Sequence, residues 1–165
     1  MYDAIEFNGI NYPKFQSEGN AAQFAIPFAK YFCSGKGLDI GCMHKQWAFP
    51  GAWPIDKNFP DEYDAFNLPD GLFDYIFSSH CLEHLNDWVA ALDYWTTKIS
   101  SGGVIFLYLP HYSQEYWRPW NNRNHLHSLH GEVLRDYFES KRSYNNIIVT
   151  GHDLNSSFYI VAAKN

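Results

Sequence analysis

A short apolar run that stops at a glycine, Gly37-Leu38-Asp39-Ile40-Gly41, constrains this chain more than any other feature. It is too brief for a helix and reads as a buried strand ending in a tight turn. Similar runs recur downstream. Trp53-Pro54-Ile55-Asp56, a run inside residues 71–79, and residues 104–109 before Pro110 are further strand candidates.

Helical patterns alternate with these runs. Ala21, Phe24, Ala25, Phe28, Ala29 and Phe32 recur at intervals of three and four, with Pro27 marking a kink. Asn86 is a plausible N-cap for a second helix, whose apolar face is Val89, Leu92, Trp95 and Ile99 and whose stop is Ser100-Ser101-Gly102-Gly103. Residues 132–140 form a last helix. Residues 145–150 and 158–163 are closing strands, close enough in sequence to pair antiparallel. The expected fold is therefore α/β, with a sheet parallel for most of its width. Residues 1–20 are turn-rich and read as an arm or lid, and residues 111–130 as a functional loop.

At 165 residues the chain is one domain's worth, spanning residues 1–165, and 46% of it is hydrophobic, so disorder is excluded. A net charge of −6 opposes duplex nucleic acid as a partner. Cys33, Cys42 and Cys81 form no paired motif, which fits a reducing cytoplasm. No apolar run is long enough for a membrane span, and the N-terminal residues do not resemble a targeting segment. Aromatic residues are abundant at 19%, and they either pack a core or cover a binding surface.

In an open parallel sheet, ligands lie beyond the carboxyl ends of the strands. There this sequence offers Asp39-Ile40-Gly41-Cys42, Asp56, a candidate strand end at Asp64, and Ser78-Ser79-His80. A glycine turn permits close backbone approach, and an acid one strand over can accept hydrogen bonds from ribose hydroxyls. The combination suggests a nucleoside site.

In their order, Leu38-Asp39-Ile40-Gly41-Cys42, Pro54-Ile55-Asp56, Asp64-Ala65-Phe66-Asn67-Leu68-Pro69 and the run from Phe73 through Ser79-His80-Cys81-Leu82-Glu83-His84-Leu85 resemble class I S-adenosylmethionine-dependent methyltransferases. Ser101-Gly102-Gly103-Val104 and Asn124-His125-Leu126-His127 extend the resemblance toward the C-terminus. It implies a Rossmann-like methyltransferase fold, mostly parallel with a C-terminal antiparallel hairpin. It implies S-adenosyl-L-methionine as cofactor and S-adenosyl-L-homocysteine as product. Gly41 and Cys42 would pass the methionine end of the cofactor, with Asp39 orienting the turn. Asp56 would take the ribose hydroxyls. Asp64 and Ala65 would lie at the adenine, Lys57 or Phe66 would cover a ring face, and Ser79 and His80 would face the reactive methyl.

Two departures accompany the resemblance. Met43 stands where the family's turn usually has a second glycine. The connections around Asp56 hold Pro50, Gly51, Pro54 and Pro60 and are too short for full helices. Rings at Trp47, Phe49, Trp53, Phe59 and Tyr63 are expected to replace the missing packing, with Trp53→Ala costing about 3–5 kcal/mol if that ring is buried. The departures also motivate a rival reading, a non-catalytic binding or regulatory module. A nicotinamide enzyme is disfavoured because no G-x-G-x-x-G occurs at the first turn.

A protic acceptor needs a base, and histidine suits that role near neutral pH. His80, His111 and His127 are the catalytic candidates, and the first two follow strands expected to be neighbours. Tyr112, Trp117, Arg118, Arg123 and His125 crowd the 111–130 loop. They either bind a planar polar acceptor, such as a small molecule or glycan unit, or close a small core. His84 is expected to join its turn to neighbouring backbone. His125 and His127 with His130, Glu83 and His84 could supply metal ligands, but no metal is expected, because H-x-H in a loop is unspecific and H-E-x-x-H is absent.

Overall fold

The structure, a computed structural model, describes residues 3–165. The chain opens with β1 (Ala4–Phe7), β2 (Ile10–Pro13), α1 (Lys14–Ser17) and α2 (Ala22–Ala29). It continues through β3 (Gly37–Ile40), β4 (Trp53–Ile55), β5 (Phe73–Ser79), α3 (Trp88–Lys98) and β6 (Ile99–Pro110). α4 (Gly131–Ser140), β7 (Tyr144–Val149) and β8 (Ser157–Lys164) close it. Six strands form one sheet in the order β4-β3-β5-β6-β8-β7. β4, β3, β5 and β6 are parallel, and β8 lies antiparallel between β6 and β7. This is the expected Rossmann-like methyltransferase topology.

Successive side chains of a strand point to opposite faces, and the central strands use that alternation to sort their residues. Ile76, Ile105, Leu107 and Leu109 pack with Leu92 and Trp95 of α3 and with Leu134 and Phe138 of α4. Tyr75, Phe77, Phe106 and Tyr108 face the other way, onto Ala22, Ala25 and Ala29 of α2. Alanines keep that helix slim, so rings fill the layer. Phe77 stacks on Phe106 with centroids 5.6 Å apart, and Phe106 stacks on Tyr159 at 5.3 Å. Phe49 extends this ladder to Phe77 at 5.1 Å, and Phe28 extends it past Tyr159 at 5.8 Å. Much of the aromatic excess is therefore core.

Several local expectations are corrected. The N-terminal arm contains the β1-β2 hairpin, turned at Asn8 (φ 52°) and Gly9 (φ 75°), a pair suited to the left-handed region. Its Tyr12 hydroxyl accepts the Glu115 amide at 3.2 Å, and Phe7 packs edge-on against Tyr116. The arm thus rests on the 111–130 loop. The N-cap of α3 is Asp87, which accepts the Ala90 amide at 2.9 Å, not Asn86. Val89 points outward and Ala91 takes its place in the core, while Ile99 opens β6, paired with Phe73. Asp64 does not end a strand: an isolated bridge to Asn67 makes a turn there. Trp53 is 42% exposed, edge-on to Tyr63, on β4 at the sheet's edge. Phe49 is the buried ring of that region. Among the described residues, no helix is long and apolar enough to cross a membrane.

Candidate active site

The carboxyl ends of β3, β4 and β5 meet at one edge of the sheet. Gly41 donates its amide to the Ile55 carbonyl at 2.8 Å, which locks the turn after β3 onto β4. Its φ is 86°, and a Cβ there would come within 2.5 Å of Cys81, so two constraints require glycine. Asp39, buried at the end of β3, accepts the Phe49 amide at 2.6 Å. Burial pushes its carboxyl up to about 7, opposed by the Phe49 amide and reinforced by the charge of Asp56. Asp39 thus ties the end of β3 to the segment at Phe49.

Asp56 follows β4. Its Oδ2 accepts the Met43 amide at 2.8 Å, and its Oδ1 accepts the amide and side-chain nitrogen of Asn58 at 2.9 and 2.8 Å. Met43 adopts φ 59°, the left-handed conformation that a glycine would take more easily, and its thioether lies over Gly19 of the arm. Cys42 is buried, and its thiol is pushed up to about 12 by burial and by Asp39 and Asp56, so it is no nucleophile. Lys57 is exposed. Asp64 Oδ1 accepts the Phe66 amide at 2.7 Å, closing its own turn, and the Ala65 carbonyl accepts the Trp95 indole at 2.7 Å.

Ser79 ends β5 with a buried hydroxyl that has no hydrogen-bond partner. His80 is nearly buried, and its Nε2 meets the Ser157 hydroxyl at 3.1 Å. Burial, then His125 and His84, hold its imidazole well below the usual range. A proton-accepting role open to solvent is therefore not supported for His80. His111 faces His152, with ring centroids 5.0 Å apart, and its Nδ1 contacts the Ser113 hydroxyl at 2.8 Å. The two histidines end adjacent strands but sit among different side chains. His127 is a clamp, its Nε2 2.9 Å from the Leu85 carbonyl.

The loop residues divide in the same way. Trp117 and His125 are buried and stack on each other at 5.0 Å, so they are packing rather than an open acceptor surface. Tyr112 stacks on His130 at the surface, and Arg118 donates to the Tyr112 carbonyl at 3.1 Å. Arg123 is exposed. Gln114, which the sequence did not single out, is buried and donates to the Asn155 carbonyl at 3.0 Å and to the Ser156 carbonyl, tying the loop to β8. A lone buried glutamine in a polar loop carries no spacing signal. His84 joins its turn to backbone as expected, with Nδ1 2.5 Å from the Asn124 carbonyl.

A glycine turn held by Asp56, with Asp39 buried beneath it and an unpartnered Ser79 hydroxyl on the next strand, fits a nucleoside cofactor at the carboxyl ends of a Rossmann-like sheet. The family model described as Methyltransferase domain matches residues 18–147, and the chain belongs to that family, the S-adenosylmethionine-dependent class I methyltransferases. No curated protein matches in sequence. The N-methyltransferase NodS from Bradyrhizobium japonicum, solved with S-adenosyl-L-homocysteine, is similar with a TM-score of 0.60 and 17% identity, over 92% of this chain and 87% of NodS. A SAM-dependent methyltransferase from Archaeoglobus fulgidus gives 0.64 and 16%, over 92% and 98%. A possible histamine N-methyltransferase from Thermotoga maritima gives 0.65 and 14%, over 92% and 93%. At these identities the structures speak for the fold.

Proposed function

We propose that this methyltransferase transfers the methyl group of S-adenosyl-L-methionine to a hydroxyl, carboxyl or amine of a small molecule or glycan unit, in a reducing cytoplasm. The observation that carries the reading is the double anchoring of the turn after β3, by Asp39 at Phe49 and by Asp56 at Met43. The bound cofactor supplies an electrophilic methyl on a sulfonium. Asp56 keeps one acceptor position, on Oδ2, for a ribose hydroxyl, and the Ser79 hydroxyl is free to bond at the methyl end. Asp64, Ala65 and Lys57 stay the candidates for the adenine end, with Cys42 lining the methionine end. Positioning supplies most of the acceleration of an in-line displacement, and a base is needed only for an acceptor that loses a proton. Among the three histidine candidates, His111 is the one left in a polar, partly open setting. Tyr112, Arg118 and Arg123 are the accessible loop groups for the acceptor. NodS, named as an N-methyltransferase, and the Thermotoga protein, named as a possible histamine N-methyltransferase, lend support to the amine option.

Calorimetry with S-adenosyl-L-methionine and S-adenosyl-L-homocysteine tests the reading. Saturable binding of both is expected, and no binding of either at millimolar concentration overturns it. The second reading, a non-catalytic module, rests on the Met43 side chain at the turn and requires that same negative result.

A further inference from the structure

Just past the end of β5, the helical turn Leu82–His84 buries a carboxylate without a partner. The Glu83 side chain is 1% exposed, and neither of its oxygens has a hydrogen bond. Its backbone carbonyl accepts the amides of Leu126 and His127 at 2.8 and 3.2 Å, which folds the loop back over the turn. His125 arrives there buried, with Nδ1 also unpartnered. One donor atom each from Glu83, His84 and His125 then lie within 4.8 Å of one another.

The imidazoles are set up to give lone pairs rather than protons. The Asn124 carbonyl accepts from His84 Nδ1, so the proton is fixed there and Nε2, 3.9 Å from Glu83 Oε1, carries the lone pair. Trp117 and His84 hold the His125 ring from two sides, at 5.0 and 4.4 Å. Ion pairing does not explain the cluster. His80 Nδ1 and His84 Nε2 lie 3.8 and 3.9 Å from Glu83 Oε1, beyond hydrogen-bond reach. A buried Glu83 side chain with no hydrogen bond to either oxygen is a costly arrangement. A divalent cation accounts for all of it.

We propose that Glu83, His84 and His125 hold a divalent transition metal ion. Two imidazole nitrogens and one carboxylate oxygen suit Zn²⁺ or a neighbouring first-row ion, not Mg²⁺ or Ca²⁺, which take oxygen ligands. Three protein ligands leave a position open for water or an acceptor atom, and the half-exposed His84 gives that position access to solvent. In the sequence these three residues are among the possible ligands but no spacing selects them, because backbone pairing across the loop brings them together. Any role in holding an acceptor oxygen or nitrogen rests on the methyl-transfer reading; the metal site itself does not.

The test is a Zn²⁺ titration of the chelator-stripped full chain against a chromophoric competitor, with melting temperature followed in parallel. The wild type is expected to take up one equivalent and to melt higher when loaded. Glu83→Gln and His125→Ala should each weaken uptake at least about tenfold, while His44→Ala leaves it unchanged. Stripped Glu83→Gln should also melt no lower than the stripped wild type, since it removes a buried charge, which separates lost ligation from lost folding. Absence of a stoichiometric site, or uptake unchanged in both ligand variants, overturns the proposal. So does displacement of Zn²⁺ by millimolar Mg²⁺. S-adenosyl-L-homocysteine binding measured on the same stripped samples reports separately on the cofactor site.

Discussion

The Met43 amide donates to Asp56 Oδ2 at 2.8 Å, so one carboxylate holds the turn and also stands where ribose hydroxyls are expected. Asp56→Ala should therefore act twice. Loss of charge-assisted hydrogen bonds, each worth about 1.5–3 kcal/mol, should weaken S-adenosyl-L-homocysteine binding at least about tenfold and lower stability as well. Calorimetry and urea denaturation of the same variant measure the two effects separately.

Met43 pays a conformational cost that glycine avoids at φ 59°. Met43→Gly keeps the amide that Asp56 binds and removes the side chain over Gly19. Stability should change by no more than about 1 kcal/mol, as relief of strain offsets lost packing. Cofactor affinity should hold or rise. A fall of tenfold or more would show that the Met43 side chain contacts the cofactor favourably.

Asp39 gives a pH signature. Its folded value, about 7, lies above the ordinary 3.8, so the folded state binds this proton more tightly than the unfolded chain does. Stability from this group is then full below about pH 4, falls as pH rises, and levels off past about pH 7. Asp39→Asn, which keeps an oxygen for the Phe49 amide, should flatten that fall. Denaturation midpoints from pH 4 to 8 compare the two chains.

Phe49 and Trp53 should behave oppositely. Phe49→Ala empties a buried site against Phe77 and Tyr75 and should cost about 3–5 kcal/mol. Trp53→Ala should cost under about 1 kcal/mol, because the ring is largely exposed on the edge strand. Equal losses in urea denaturation would contradict this placement.

His111 and His127 separate a base from a clamp. With a protic acceptor, His111→Ala should slow methyl transfer by about 10²-fold or more and erase a pH-rate limb lying below the ordinary histidine value, since burial lowers this imidazole. His127→Ala should keep the limb and lose stability, because it frees the Leu85 carbonyl.

Strand ends were legible because apolar runs that stop at Gly41, Asp56 and Ser79 carry their own punctuation. The β1-β2 hairpin was not, since its strands are only four residues each and mostly exposed, although Asn8-Gly9 marked its turn. Val89 and Ile99 were misplaced for a different reason. Each is apolar at helical spacing, but α3 turns its alanine inward and Ile99 has already joined β6. In the site, the acids and the glycine could be read from order along the chain. Glu83 and His125 could be named as possible ligands but not singled out from His127 and His130, because their meeting depends on where a long loop folds back.

The two acids that pin the turn after β3 bear on how a ligand would be received as well as on what it touches. Residues 41–49 are already fastened at both ends, so association should need no slow ordering of this segment. Binding should then show single-phase kinetics, with little entropic penalty from the turn itself.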